Sequence, residues 1–342
     1  MIKKTLFFVF IIGPLLGAIM VGTHLTFLFK QTYTGPDLVF EVRSGDTFGK
    51  INQRLYDKGV ITNTRVFHYY AKYKDVMTKF RAGSFTIPRG SNISQVLETL
   101  VYGQPNLNSI TIPEGKNMYE IAKLLDHAGI TTEQEFLDVV RAPDLISLLT
   151  VEAPSLEGYL YPETYRFAPH TPARAVAKAM IDLFNKKTEE VNFDHPFLSK
   201  HQVIILASMV EKETGAKQER PEIAGVFTNR LKKRMRLESD PTTIYGIWNR
   251  YQGNIKRSDL QEITPYNTYK IPALPTGPIS NPSLEAIRAV LNPAQHEFLF
   301  FVSKNDGTHI FTKNYGDHSN AVDEFQKKSK ARSGKSWRNL KQ

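Results

Sequence analysis

Apolar positions follow three regimes along the chain. The first is a continuous run from Thr5 to Phe29 with no Asp, Glu, Lys or Arg, bracketed by Lys3, Lys4 and Lys30. At about 1.5 Å per helical residue it is long enough to cross a hydrocarbon core of roughly 30 Å. A removed signal peptide competes with this, but the run exceeds a usual signal core and no clear small-x-small site follows. Lys3 and Lys4 favour a cytoplasmic N-terminus, with everything beyond Lys30 outside. The second regime repeats: FEVRSGDTFGKINQRL from Phe40, FTIPRGSNISQVLETL from Phe85 and ITIPEGKNMYEIAKLL from Ile110 align without a gap. Each reads as a short alternating strand, a turn glycine (Gly45, Gly90, Gly115) and a helix starting at Asp46, Ser91 or Lys116. Such repetition predicts small strand-helix units stacked on one another.

The third regime alternates helical patterns with proline-rich links. Helical spacing runs through PARAVAKAMIDLFNKKTEEV after Thr171, and again from Val203 to Thr214, where Gly215 stands as a C-cap. Pro221 marks the start of a helix with Ile223, Val226, Phe227 and Leu231 on its apolar face. Asp240-Pro241 opens a further one over Thr242 to Trp248. Thr264 to Ser283 contains five prolines and is neither helix nor central strand. Beyond it come a short helix from Leu284 to Leu291, a hairpin over Phe298 to Thr312 turning at Asn305, Asp306 and Gly307, and a last helix capped by Ser319. Earlier, Glu152 to Phe167 is a link dense in aromatics and prolines. Its Tyr159, Tyr161 and Tyr165 are either structural or flat faces for sugar rings.

The helix ending in Glu211, Lys212 and Glu213 holds the candidate chemistry. At about 100° per residue, Val203, Met209, Val210 and Glu213 share a stripe, whereas Glu211 falls beside Ala207 and Ser208. A carboxyl held along an apolar face titrates nearer neutrality and is able to donate a proton at pH 7. The alternative is an ordinary helix-end glutamate, solvated or paired with Lys212, Lys217 or Arg220.

Composition narrows the chemistry. With 342 residues there is room for more than one domain, and with no cysteine there are no disulfides, thiolate metal sites or Cys nucleophile. The net charge of +10 is concentrated in the last sixteen residues, which hold seven Lys or Arg and no acid. Beside an apolar anchor, this tail suits solvent or an anionic wall polymer or lipid surface better than nucleic acid. The nine histidines form no His-Glu-x-x-His, and Gly-x-Ser-x-Gly, Ser-x-x-Lys and Walker patterns are missing. A lone carboxylic acid remains, and glycosidic bond cleavage is the chemistry that most needs one.

Two resemblances follow from the motifs. The opening from Val42 to Ile51, with Gly45, Asp46 and Thr47, resembles a LysM-type peptidoglycan-binding unit of βααβ fold; Ser91 and Lys116 replace the aspartate in the later copies. ILASMVEKET, ERPEIAGVFTNRL, SDPTTIYG, PYNTY and LPTGPISNP, in this order, resemble the YceG-like endolytic murein transglycosylases over nearly the whole chain. The resemblance implies an α+β chain: residues 1–30 a cytoplasmic tip and transmembrane helix, 31–105 a LysM-like subdomain, and 106–150 a third repeat linking to the catalytic domain. Residues 151–326 would be a mixed α/β catalytic domain and 327–342 a basic tail. It further implies a single-pass inner-membrane protein with its catalytic domain extracytoplasmic. Such a protein would act on peptidoglycan glycan strands beside cell-wall synthases (penicillin-binding proteins), without metal, cofactor or nucleic acid. The family's catalytic glutamate falls on Glu213. Glu211, Arg220, Asp240, Tyr245, Tyr266 and Asn267 are the candidates for support or substrate binding. A water-using muramidase with Asp240 or Glu211 as second carboxylate, and a non-catalytic wall-binding scaffold, are the rival expectations.

Overall fold

A computed structural model describes residues 13–327, apart from Ser44, Thr150 and Thr214. It is a mixed α+β fold of helices and two-stranded sheets. The chain divides into two compact units, one of Met1–Ser109 with Arg166–Pro172, the other of Ile110–Tyr165 with Ala173–Gln342. Of the expected membrane span, residues 5–12 lie outside the described residues, as does most of the basic tail. The remainder of the span lies in helix α1 (Gly13–Lys30). Among the described residues no helix is long and apolar enough to cross a membrane.

In the first unit, β1 (Leu38–Val42) is followed by α2 (Phe48–Asp57), α3 (Thr64–Tyr73), β2 (Gly83–Ile87) and α4 (Ile93–Tyr102). β1 and β2 pair antiparallel with Phe40 opposite Phe85. Both rings are buried with Ile51, Leu55, Phe67, Val96 and Leu100 in one core. Cross-strand aromatic pairing and helix faces of 3.6 periodicity thus converge on one apolar layer.

The second unit opens at the end of β3 (Asn108–Thr111) and continues through α5 (Met118–His127), α6 (Glu133–Val139), α7 (Pro143–Ile146), β4 (Thr164–Phe167) and α8 (Ala173–Lys187). Then come α9 (Lys200–Glu213), α10 (Arg220–Lys232), α11 (Asp240–Gly246), α12 (Arg257–Gln261), α13 (Leu284–Leu291), the β5 (Phe300–Ser303) and β6 (His309–Thr312) hairpin, and α14 (Tyr315–Val322). β3 pairs with β4, so the third repeat does not join the β1–β2 sheet. α9 is buried on all sides from Val203 to Val210. Its polar Ser208 is satisfied by Ile279 N at 3.0 Å and by the Ile205 carbonyl at 2.6 Å.

Several helix starts differ from the sequence expectation by a residue or more. Gly45, Gly90 and Gly115 do have positive φ, but the N-caps are Thr47, Asn92 and Asn117, whose side chains accept from the first-turn backbone. Asp46 and Ser91 instead close the preceding turn, Asp46 accepting from Arg43 N and Ser91 donating to the Pro88 carbonyl. α11 begins at Asp240 with Ser239 in the cap position. α14 is capped by Asn314, which accepts from Asp317 N and leaves Ser319 inside the helix.

Candidate active site

Because α9 is apolar all round, its helical wheel does not separate the two glutamates at its end. Glu211 is buried too, its side chain 5% exposed. What separates them is their partners. The Arg220 guanidinium, at the start of α10, donates to Glu211 Oε1 at 2.6 Å, while Ser283 N and Oγ donate to Oε2 at 3.1 and 2.5 Å. Arg220 is itself buried and also reaches Glu114 at 3.3 Å. This ion pair joins α9, α10 and the cap of α13. Both oxygens of Glu211 are thereby taken up by Arg220 and Ser283.

Glu213 is half-buried, and among the described residues no cation pairs with it. Its partner is the hydroxyl of buried Ser239, which donates to Oε1 at 2.5 Å. Although Ser239 occupies the cap position of α11, its side chain makes no cap bond; it is spent on the glutamate instead. Burial pushes the Glu213 carboxyl up to about 7, the negative charge of Asp240 adds to this, and the Ser239 hydrogen bond opposes it. Such a group exchanges its proton at neutral pH.

Ser239 is held by Thr268, whose hydroxyl accepts from Ser239 N at 3.0 Å and meets Thr242 Oγ1 at 2.8 Å. Asp240 is exposed and accepts from Tyr269 Oη at 2.8 Å. Asn267 is fully buried: its amide nitrogen donates to the carbonyls of Asp259, Leu260 and Glu262, and its oxygen accepts from Thr243 Oγ1 and Tyr269 N. It braces α11, with no group turned to a ligand. Tyr245 and Tyr266 lie with ring centroids 4.7 Å apart, Tyr245 buried and Tyr266 half-buried. Tyr119 approaches Tyr245 at 6.0 Å and stacks on Trp248 at 5.6 Å.

Sequence reasoning missed Ser239, Asn281 and Glu157. Glu157 is 1% exposed; its Oε2 accepts from Met118 N at 2.8 Å and Tyr245 Oη at 3.0 Å, and its Oε1 accepts from Asn281 Nδ2 at 2.7 Å. Burial pushes this carboxyl up to about 8, against hydrogen bonds that favour the charged form. The next residue, Gly158, has φ +88°, and a Cβ there would lie 2.6 Å from Pro278 and 2.8 Å from Ile204. Of the two expectations for Tyr159, Tyr161 and Tyr165, the burial of all three fits the structural one, with Tyr159 Oη on His201 Nδ1 and Tyr165 Oη on the Tyr161 carbonyl.

A cavity of about 660 Å³ lies at the other end of α9, walled by Phe197, Lys200, His201, Ile205, Leu231 and Thr276. At about 1.5 Å per residue along the helix it is well removed from Glu213, which does not line it. Among the described residues, no cluster of three or more His, Asp or Glu is placed to hold a metal ion.

The model of the YceG-like family matches residues 40–324. An endolytic murein transglycosylase of Bacillus subtilis (strain 168) is 31% identical over 302 residues, covering 83% of each chain. An endolytic murein transglycosylase of Streptococcus pneumoniae serotype 2 is 28% identical over 316 residues; the match covers 83% of this chain and 57% of that longer protein. The crystal structure of a YceG-like protein from Listeria monocytogenes, 28% identical, superposes with a TM-score of 0.58 over 84% of this chain and all of that one. With 285 consecutive residues inside the family match, from 40 to 324, the chain belongs to the YceG-like family.

Proposed function

We propose that the chain is an endolytic murein transglycosylase and that Glu213 is its acid and base. One observation carries the residue assignment: Glu213 has a hydroxyl as its partner where Glu211 has the Arg220 guanidinium, and burial pushes the Glu213 carboxyl up to about 7. Protonated Glu213 donates to the oxygen bridging N-acetylmuramic acid and N-acetylglucosamine as that bond breaks through an oxocarbenium-like state. The carboxylate then takes the proton of the muramoyl 6-hydroxyl as that oxygen closes on C1. The leaving strand gains a free 4-hydroxyl and the other a 1,6-anhydro end, so no water is consumed.

Asp240, near enough to raise the Glu213 pKa, supports a second reading in which it steers water onto C1. Mass spectrometry of products from purified glycan strands separates the two, since a hydrated end is heavier by one water. Anhydro ends from wild type and no cleavage by Glu213→Gln are the expected result; hydrated ends alone overturn the transglycosylase assignment. Cleavage by neither protein would favour a wall-binding scaffold.

In the same proposal, Thr5–Phe29 anchors the chain in the inner membrane with the N-terminus cytoplasmic, and the enzyme works on nascent strands beside penicillin-binding synthases. The strand-helix-helix-strand order of β1, α2, α3 and β2 supports a LysM-like role for that part of the chain. Its Asp46 is ion-paired with Arg54, so the turn residue serves the fold before any glycan.

A further inference from the structure

Two parts of the chain build the surroundings of Glu213. α9 carries the glutamate and is fastened to the segment from Pro278 to Ser283: Ile279 N meets Ser208 Oγ at 3.0 Å, Ser280 Oγ meets the Ser208 carbonyl at 3.0 Å, and Ser283 Oγ meets Glu211 at 2.5 Å. α11 carries Ser239 and is fastened to the segment from Thr264 to Tyr269: Ser239 N and Thr242 meet Thr268, and Thr243 Oγ1 meets Asn267 at 3.0 Å. At the start of α11 the two parts meet through Ser239 and Glu213. At its other end, about 9 Å further along the helix axis, they meet through Glu157, which accepts from Tyr245 Oη on α11 and from Asn281 Nδ2 on the α9 side.

We propose that Glu157 is a positioning residue of the reaction: a buried double acceptor that ties Tyr245 to Asn281 and so sets the spacing of α11 from α9 on which the Ser239–Glu213 contact depends. This rests on Glu213 being the catalytic acid.

A carboxyl suits this place better than an amide, because the donors around it favour the charged, accepting form even though burial raises its pKa. One oxygen faces two donors, Met118 N and Tyr245 Oη, and the other faces Asn281 Nδ2. The Asn281 amide has no freedom to turn, because its oxygen receives Gly158 N and Leu160 N, each at 2.9 Å. A glutamine at 157 therefore sets an NH₂ group against a donor in either orientation. The titratable groups that bear on this carboxyl are Tyr245 and Tyr266 from α11 and its bracing segment and Glu120 from α5. Tyr245 is not a substrate contact in this scheme; its ring is buried and its hydroxyl is the far end of the tie.

The experiment compares kcat for glycan-strand cleavage across about pH 5 to 9 in wild type, Glu213→Gln, Ser239→Ala, Glu157→Gln and Tyr245→Phe, with thermal melts of each. Loosening α11 weakens the Ser239 hydrogen bond that holds the Glu213 pKa down. The fall in activity on the alkaline side should therefore move to higher pH in Glu157→Gln, in the same direction as in Ser239→Ala. kcat at neutral pH should fall by no more than the few-fold expected for Ser239→Ala, because Glu157 acts through that contact. Tyr245→Phe should move the alkaline limb in the same direction, and it decides the matter if Glu157→Gln does not fold. A folded variant with its alkaline limb at the wild-type position overturns the proposal, whatever its kcat, because a purely structural loss lowers activity at every pH alike. Failure of the underlying function looks different: wild type makes no anhydro ends, or Glu213→Gln cuts as wild type does.

Discussion

Replacing Ser239 by alanine removes one hydrogen bond, the 2.5 Å contact from Ser239 Oγ to Glu213 Oε1. A hydrogen bond to a charged group contributes about 1.5–3 kcal/mol, and a shift of one pKa unit corresponds to about 1.4 kcal/mol. Because Glu213 is only half-buried, water takes over part of the lost bond and the expected rise is about one unit. The Glu213 carboxyl would then move from about 7 to about 8. A general acid works in its protonated form, so activity falls as pH rises through its pKa. The alkaline limb of the kcat profile should accordingly move up by about one unit, while at neutral pH the weaker acid lowers kcat a few-fold. The substitution leaves the helix end intact, because the Ser239 side chain makes no cap bond to α11, so the melting temperature should change by only a few degrees. The assay is release of anhydro ends from purified strands, quantified by mass spectrometry over the pH range. An alkaline limb that stays in place or moves down refutes the assignment of Ser239 as the group holding Glu213 partly ionised.

Other consequences are equally direct. Glu213→Gln should abolish cleavage and also flatten the pH dependence of stability. Burial raises the carboxyl from 4.5, the ordinary value for a glutamate, to about 7 in the fold, so its favourable contribution is full below about 4.5 and lost as pH rises through about 7; unchanged melting curves across that window would contradict its burial. Arg220→Ala should cost about 3–5 kcal/mol by leaving Glu211 buried and uncompensated, read by thermal or denaturant unfolding, and a loss under about 1 kcal/mol would show the pair to be solvated. Gly158→Ala should destabilise by more than about 2 kcal/mol, since it joins a left-handed backbone to a clash with Pro278. Asn267→Ala should lower stability by about 1–3 kcal/mol with KM unchanged in the folded protein; a raised KM at wild-type stability would make it a substrate contact after all.

The sequence alone determined what depends on neighbours along the chain. The apolar run of α9 with its terminal acids, the turn glycines of the three repeats, the Leu284–Leu291 helix and the hairpin turning at Asn305 to Gly307 are all set by propensity, periodicity and backbone sterics within about a dozen residues. The motif order was also legible, and with it the family. Most cap positions were legible to within a residue or two, because adjacent polar residues compete for the same backbone donors, whereas the last helix is capped by Asn314, five residues before the expected Ser319. What only the tertiary structure decided is which partners each carboxyl meets. Glu211 and Glu213 stand two residues apart on one buried helix, yet Glu211 meets Arg220 and Ser283 while Glu213 meets Ser239. Glu157, inside what reads as a connecting loop, turns out to be a buried acceptor for groups on α5, α11 and the segment before α13. A carboxyl's pKa is set by how much water it loses and which charges and donors replace that water. Those groups arrive from distant parts of the chain, so their identity is settled only when the fold brings them together.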